Sequence, residues 1–365
     1  MTRTTTPLNV SRWPEKHASD DRRVITRFAR YGAEPRIRSI LERVLPLEPP
    51  TVQRLLDEVM ADFASRHRDV KAEFLDNFQM VEPYIDPDEE LTESKKLLVG
   101  AYFTSEYSIA SAALFNPSIV AHPNQDGVGK GAVRFLLSLR ATGEGHLSSI
   151  IFGGGVINDS GWITFDPPPR YAESAKPIPD KLYDKPLFIR KLQEMGCDLE
   201  PAWGVLDNLS ERFTFADMNR EIEALAPEHG RPQQFEQIAG DMRWLAQANY
   251  DLHFSPDCNP SEVVIFPATE HESHGMEDLR LVRFCDDDGC YRYYGTYTAY
   301  NGLRTWPMML ETEDFRHFHV TTLNGRYALN KGMALFPRKV NGDYLMVARH
   351  DAENLFLMRS DDPHF

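Results

Sequence analysis

The chain has 365 residues, of which 42% are hydrophobic and 26% charged, a composition typical of a folded globular protein rather than a disordered one. Its formal net charge of −15 argues against a nucleic-acid partner, because binding a phosphate backbone requires a basic surface. No segment has the apolar length of a signal-peptide core or a membrane span, and the four cysteines are irregularly spaced. We therefore expect a cytoplasmic protein with free thiols and no membrane partner.

Residues 1–115 are predicted to form a helical N-terminal extension. Apolar residues recur three and four positions apart in RIRSILERVL (36–45) and VQRLLDEVM (52–60), which is typical of amphipathic helices. We expect the same pattern to continue from Glu90 to Leu114. Such an extension either packs on the rest of the chain or provides a surface for a homo-oligomer.

From Asn116 the hydrophobic period changes to two. GAVRFLLSLR (131–140) and LSSIIF (147–152) are predicted to be neighbouring strands. The GGG run at 153–155 is interpreted as a turn, since neither a Lys-Ser/Thr pair nor a helix follows it, as a phosphate-binding loop would require. A helical insertion is predicted at about 186–249, after a proline-rich break.

The part of the chain after the insertion repeats itself. LETEDFRHF (310–318) is echoed by MRSDDPHF (358–365), so Asp314 and Asp362 lie 48 positions apart with four predicted strands between them. A period of about 40–50 residues with four strands per unit is typical of β-propeller blades. We therefore predict a mainly β fold, with a propeller catalytic domain over 116–365. About three blades can be counted, and we expect the chain to be C-terminally truncated.

The densest polar cluster is HESHGMEDLR (271–280), in which Glu277 and Asp278 enter a strand. Adjacent residues of a strand point to opposite faces, so we expect one carboxylate to face the propeller axis and the other to anchor the backbone or Arg280.

No metal site is predicted. His271 and His274 do not have the spacing of helical zinc motifs, and Cys285 and Cys290 would need two further ligands.

A second cluster is cationic and recurs at the ends of predicted strands, where propeller strands reach the axial cleft. Guanidinium and ammonium groups gathered there would form an anion site. The members are Arg140, Arg304, Lys331, Arg349 and His350. A glycine-flanked loop after Arg140 presents Glu144 and His146, and Tyr300 belongs to an aromatic group able to stack on sugars.

Six segments, in this order, resemble glycoside hydrolase family 130, the β-mannoside phosphorylases and β-mannosidases. They are NPSIV (116–120), SLRATGEGH (138–146), GMEDLRL (275–281), YTAYNG (297–302), NKGMALFP (330–337) and RHDAENL (349–355). The resemblance covers about 116–165 and 254–365 and implies a five-bladed β-propeller. Leu279 stands where the family's Glu-Asp-Pro-Arg segment has proline.

The resemblance also implies a reaction and a set of site residues. Asp278 is implied as the general acid, with the proton passing through a sugar hydroxyl to the leaving oxygen. Asn116 and Arg140 are implied to hold the mannosyl unit, and the phosphate ligands are implied to be Lys331 and His350, with Arg304 and Arg349. We add Glu277, Tyr300 and His146 to the sugar site because they lie within these segments, close to the implied site residues.

We therefore predict an inverting phosphorylase that converts a β-mannoside and phosphate into α-mannose 1-phosphate and a shortened sugar, without a cofactor. One acid suffices because phosphate is already a charged nucleophile, whereas inverting hydrolysis needs a second carboxylate to activate water. One alternative is an inverting β-mannoside hydrolase with Glu144 as the base. Another is a non-catalytic sugar-binding propeller or an inactive fragment.

Overall fold

A computed structural model describes residues 13–14, 16–175, 177–179, 182–225 and 233–365. Its first part contains β1 (Asp20–Phe28), α1 (Glu34–Val44), α2 (Pro49–Phe63), α3 (Val70–Val81), α4 (Glu93–Tyr102), β2 (Thr104–Ala110) and β3 (Ala113–Ala121). Strands then follow as β4 (Val133–Thr142), β5 (Ser148–Ile157), β6 (Ile163–Phe165), β7 (Glu173–Ser174), β8 (Ile178–Pro179) and β9 (Tyr183–Asp184).

The next part is helical and the last part is made of strands. The helical part contains α5 (Lys185–Glu194), α6 (Trp203–Asn208), β10 (Arg212–Phe213), α7 (Phe215–Ala224) and α8 (Gln233–Gln247). The last part contains β11 (Tyr250–His253), β12 (Val263–Ile265), β13 (Met276–Cys285), β14 (Tyr291–Tyr300), β15 (Thr305–Thr312), β16 (His317–Thr322), β17 (Ala334–Leu335), β18 (Tyr344–Ala348) and β19 (Phe356–Ser360).

The fold is mainly β with helices, as predicted. The described residues form two six-stranded sheets, one three-stranded sheet and two strand pairs, and no closed sheet is found among them. The first large sheet has the order β3-β4-β5-β12-β7, with β6 paired to β5, and the second has the order β13-β14-β15-β16-β11-β8. The third sheet is β17-β18-β19. No helix within the described ranges combines the length and apolar character needed to cross a bilayer.

The N-terminal segment is less helical than predicted. Helices α3 and α4 begin at side-chain caps, where Asp69 and Thr92 accept backbone N–H hydrogen bonds. The prediction of helix from Glu90 to Leu114 is wrong beyond Tyr102, because β2 pairs antiparallel with β1 and buries Ile109 completely. Strands β1 and β2 were not predicted, since pairing over so long a sequence separation leaves no local signal.

The interpretation of residues 153–155 as a turn is also wrong, because these glycines lie inside β5. A Cβ at Gly155 would lie 2.3 Å from the carbonyl oxygen of Thr164 and 2.7 Å from the Phe135 ring. A Cβ at Gly154 would lie 2.6 Å from Asp166 Oδ2. Glycine here allows close approach of a neighbouring strand and ring, not a change of chain direction.

Helices α5–α8 occupy most of the described part of 186–249, as the amphipathic pattern there predicted, and they share a core that includes Leu192, Met242 and Leu245. Helix α7 begins with a capping box, in which Thr214 and Asp217 bond reciprocally. The division of the chain into domains remains a prediction.

The sequence repeat corresponds to a repeated turn. After β15, Asp314 accepts hydrogen bonds from the backbone and ring nitrogens of His317. After β19, Asp362 accepts the same two bonds from His364. Each turn also begins with a hydroxyl acceptor, from Thr312 in the first and Ser360 in the second. The echoed letters therefore encode two similar Asp–His turns, with the histidine three residues after Asp314 and two residues after Asp362.

The two large sheets pack face to face around the main core, which includes Phe152, Met276 and Phe318. Beside it lies Glu272, which is fully buried. Its Oε1 accepts hydrogen bonds at 2.7 Å from the hydroxyls of Tyr250 and Tyr297. Its Oε2 accepts from the backbone of Ala268 and from both the backbone and the hydroxyl of Thr269. Glu272 thus anchors the turn that leads into β13.

His271, the preceding residue, is 1% exposed and lies against Trp244 of α8, with ring centroids 3.8 Å apart. Neither ring nitrogen has a hydrogen-bond partner among the residues that the structure describes. Burial lowers the pKa of His271 from 6.5 to about 4. Between about pH 4 and 6.5, His271 is therefore neutral in the folded chain but protonated in the unfolded chain.

We expect this histidine to make the protein acid-sensitive. The contribution of His271 to the free energy of unfolding is complete above pH 6.5 and is lost as the pH falls towards 4. The total loss of stability is about 3 kcal/mol. Urea unfolding of wild type and His271→Phe between pH 7.5 and 4.5 measures it: the variant should lose less stability on acidification. The same substitution at the exposed His274 is the control, and equal pH dependence in wild type and His271→Phe would contradict the expectation.

Candidate active site

Two β-bulges face each other where β3 packs on β13. One interrupts the pairing of β3 with β4 between Phe115 and Ser118, and the other interrupts β13 and β14 between Glu277 and Arg280. Each contains a non-glycine residue in the left-handed region, Asn116 with φ 48° and Asp278 with φ 59°. Such conformations cost about 1–3 kcal/mol each and concentrate at functional sites.

The side chains of these two residues meet. Asn116 Nδ2 donates to Asp278 Oδ1 at 2.5 Å, and Arg140 Nη1 lies 3.4 Å from the same oxygen. Asp278 Oδ2 accepts no hydrogen bond from the residues that the structure describes, and the side chain is 35% exposed. Oδ1 is thus held in place, while Oδ2 is the oxygen available to carry a proton or to meet a ligand.

Arg140, at the end of β4, connects the two carboxylates. Its Nε donates to Ser148 Oγ at 2.9 Å, and its Nη2 donates to Glu277 Oε1 at 3.0 Å. The sequence expectation that Glu277 and Asp278 point to opposite faces is therefore wrong, because both contact Arg140. The bulge adds a residue to β13 and breaks the strict alternation of side chains.

Glu277 is also bound to a lysine. Its Oε2 lies 3.2 Å from Lys331 Nζ, and the Glu277 side chain is 15% exposed whereas that of Lys331 is 48% exposed. Beside Lys331, a Cβ at Gly332 would lie 2.8 Å from Arg349 Nη2, so the Arg349 guanidinium lies over this backbone. Lys331 is thus paired with Glu277, and Arg349 lies against Gly332, the residue that follows Lys331.

Five of the predicted site residues are therefore joined by hydrogen bonds, namely Asn116, Arg140, Glu277, Asp278 and Lys331. Arg349 lies next to this group. We call these six residues the bulge cluster.

The other predicted residues lie outside those hydrogen bonds. Tyr300 donates its hydroxyl to the carbonyl of Gly302, and Arg304 lies in the exposed turn that follows. His146 lies in an exposed turn with φ 61°. His350 packs on the rings of Tyr327 and Phe356 and lines a cavity of about 690 Å³ between α5 and β17–β19. Their assignment to sugar or phosphate remains a prediction.

Glu144, the candidate base of the hydrolase alternative, has a structural role here. Its Oε1 accepts a hydrogen bond from the backbone N–H of Ser108 at 3.1 Å. Its backbone carbonyl accepts from the Tyr107 hydroxyl at 2.7 Å. The loop that carries Glu144 is thereby fastened to β2.

Sequence reasoning missed Ser148 and the reach of Arg280 into the other bulge. Ser148 begins β5 with nothing in its sequence context to distinguish it, although it bonds Arg140. Arg280 stands inside the GMEDLRL motif, but only the fold shows that its Nη2 donates to the carbonyl of Asn116. No group of three or more residues able to hold a metal is found in the described ranges, and all four cysteines are free thiols.

Comparison with protein-family models finds no match, and comparison with curated proteins finds none either. Solved structures do match. A glycosyl hydrolase from Bacteroides ovatus is 14% identical with a TM-score of 0.30, over 70% of this chain and 48% of its own. A member of the GH130 family of mannoside phosphorylases, which contains glycoside hydrolases that target β-1,2 mannosidic linkages in Candida mannan, is 12% identical with a TM-score of 0.32, over 70% and 48%.

A β-1,2-mannobiose phosphorylase from Listeria innocua, in complex with β-1,2-mannobiose, is 15% identical with a TM-score of 0.24, over 68% of this chain and 64% of its own. The matches therefore include the family that the sequence motifs resemble. This chain spans about half the length of the first two structures. Identities and TM-scores are low, so the function proposed below rests on the chemistry of the bulge cluster.

Proposed function

We propose that the chain is an inverting glycoside phosphorylase acting on β-mannosides. Phosphate attacks the anomeric carbon, the glycosidic C–O bond breaks with inversion, and the leaving oxygen gains a proton that originates on Asp278. The products are α-mannose 1-phosphate and a shortened sugar. We further propose a propeller fold, a cytoplasmic location and no cofactor besides phosphate. The repeated turns at Asp314 and Asp362 support the propeller.

One observation carries this proposal: Asp278 combines an anchored Oδ1 with an Oδ2 that has no hydrogen-bond partner among the described residues. A general acid needs this arrangement, because the proton must lie on an oxygen that the substrate can reach. Asn116 and Arg140, which anchor Oδ1, are also the residues that we propose to contact the mannosyl unit.

Phosphorolysis is favoured over hydrolysis by the partners of the neighbouring carboxylates. Glu277 already accepts from Arg140 and Lys331, and Glu144 accepts from the Ser108 backbone. Both oxygens of Glu277 therefore have partners, and Glu144 makes no hydrogen bond to the bulge cluster among the described residues. Inverting hydrolysis instead requires a carboxylate near the acid that is free to activate water. Lys331 and the adjacent Arg349 instead offer an anion the charge-assisted hydrogen bonds that phosphate prefers.

The direct test is to incubate β-linked mannobioses with the protein, with and without phosphate, and to identify the products. We expect α-mannose 1-phosphate, formed only in the presence of phosphate. Mannose released equally well without phosphate would replace this proposal by the hydrolase alternative. If no mannoside is turned over, a non-catalytic role remains, and a binding measurement with the same sugars tests it.

Replacing Lys331 by Met should raise the KM for phosphate by about 10–100-fold, because one charge-assisted hydrogen bond is worth about 1.5–3 kcal/mol. The KM for the sugar should change much less. Lys339→Met is the matched control, since Lys339 is another partly exposed lysine paired with carboxylates, those of Asp286 and Asp287. Equal phosphate KM values in the two variants would remove Lys331 from the proposed phosphate site.

A further inference from the structure

Arg280 is the one described side chain whose recorded hydrogen bonds reach the backbone of both bulges. Its Nε lies 3.2 Å from the carbonyl oxygen of Asp278 and 3.0 Å from that of Leu279, within its own bulge. Its Nη2 donates to the carbonyl oxygen of Asn116, in the bulge of the other sheet. One planar group therefore holds the two left-handed residues of the site by their backbones.

This connection stabilises a backbone conformation that is otherwise unfavourable. A left-handed residue other than glycine persists only where its surroundings enforce the conformation. Asn116 is exposed, so packing does little to enforce it. Two hydrogen bonds tie Asn116 to β13: its backbone carbonyl accepts from Arg280, and its side-chain amide donates to Asp278. Without the first, the backbone of Asn116 could relax and carry its amide away from Asp278.

Holding a guanidinium here is itself costly, which argues against an incidental contact. Burial lowers the pKa of Arg280, and the charge of the nearby Asp278 only partly opposes this effect. Its recorded hydrogen-bond partners are neutral carbonyls rather than a carboxylate.

We propose that Arg280 is a positioning residue, which locks the two facing bulges so that Asn116 anchors Asp278 Oδ1 and leaves Oδ2 for the substrate. The inference rests on the proposed function, in which Asp278 is the acid. Arginine is needed because its rigid fork reaches carbonyls on both sides at once. A lysine keeps the charge but is a single point donor, so it can satisfy one bulge or the other.

The test is Arg280→Lys, with Arg283→Lys as the matched control. Arg283 lies on the same strand, is exposed and packs on the Tyr291 ring, away from the bulges. We expect Arg280→Lys to lower kcat about 10–100-fold, since small misplacements of catalytic groups have effects of this size. The KM for phosphate should stay within about twofold, because Lys331 and Arg349 are untouched. A merely structural role would instead lower the amount of folded enzyme and leave kcat per folded molecule unchanged.

A double-mutant cycle with Asn116→Ala separates direct from indirect action. If Arg280 acts through Asn116, Arg280→Lys should cause little further loss of kcat in the Asn116→Ala background. Multiplicative losses would overturn the proposal. A crystal structure of Arg280→Lys provides a readout independent of activity, with Asn116 expected to leave the left-handed region. An unchanged Asn116 backbone would also overturn it.

Failure of this inference is distinguishable from failure of the proposed function. If Asp278→Asn retains full activity, the acid assignment fails, whatever Arg280 does. If Asp278→Asn is inactive while Arg280→Lys behaves like Arg283→Lys, only the positioning role is rejected. Thermal unfolding of each variant shows whether it is folded, and the crystal structure decides the bulge geometry if activity is too low to measure.

Discussion

Replacing Asp278 by Asn is expected to reduce the phosphorolysis rate about 10²–10⁴-fold, the range that general acid catalysis contributes. The substitution removes the transferable proton and leaves the shape of the side chain almost unchanged. Asparagine tolerates the left-handed backbone at φ 59° as well as aspartate does. Its amide oxygen can still accept the hydrogen bonds from Asn116 and Arg140 that Oδ1 accepts now. What it lacks is a transferable proton at the position of Oδ2.

The measurement is kcat for a β-linked mannobiose at saturating phosphate, with thermal unfolding of each variant as the check on folding. Asp257→Asn is the control, because Asp257 is exposed and lies in a loop after β11. We expect Asp257→Asn to retain wild-type kcat. A rate for Asp278→Asn within about threefold of wild type would exclude Asp278 as the acid, since general acid catalysis typically contributes at least about 10²-fold.

Elements of the fold that depend on local sequence could be predicted, whereas elements that depend on distant pairing could not. The sequence repeat predicted four strands between Asp314 and Asp362, and the structure has β16, β17, β18 and β19 there. The turns at Asp314 and Asp362 could be recognised as a sequence repeat, because the aspartate side chain bonds to backbone only two or three residues away. Strands β1 and β2 were not visible, since β1 is stabilised by pairing with residues about 80 positions away.

The candidate site was partly predictable for a related reason. The GMEDLRL motif indicated Glu277 and Asp278, and the basic residues at strand ends indicated a cationic group. Strand alternation then gave the wrong faces, because a bulge cannot be recognised when it contains no glycine. The contact of Arg280 with Asn116 joins residues 164 positions apart and exists only after two sheets have packed.

The buried carboxylate of Glu272, which anchors the turn before β13, is expected to contribute strongly to stability. Glu272→Leu is expected to lower the free energy of unfolding by about 3–5 kcal/mol, the cost of stripping the partner from several buried polar groups. The substitution leaves the hydroxyls of Tyr250 and Tyr297 without their acceptor, together with the backbone N–H groups of Ala268 and Thr269. Urea unfolding at neutral pH, compared with wild type, measures the change.

Glu270→Leu is the matched control, because Glu270 lies in the same short turn and is exposed. Its effect should stay within about 0.5 kcal/mol, as for most surface substitutions. Adding Tyr297→Phe to Glu272→Leu should recover part of the loss, because it removes one hydroxyl that the leucine leaves buried without a partner. If Glu272→Leu cost no more than Glu270→Leu, the carboxylate would not be what fixes the turn. The start of β13, and with it the position of Asp278, would then depend on packing around Met276 and on the backbone bonds between Tyr300 and residues 274–275.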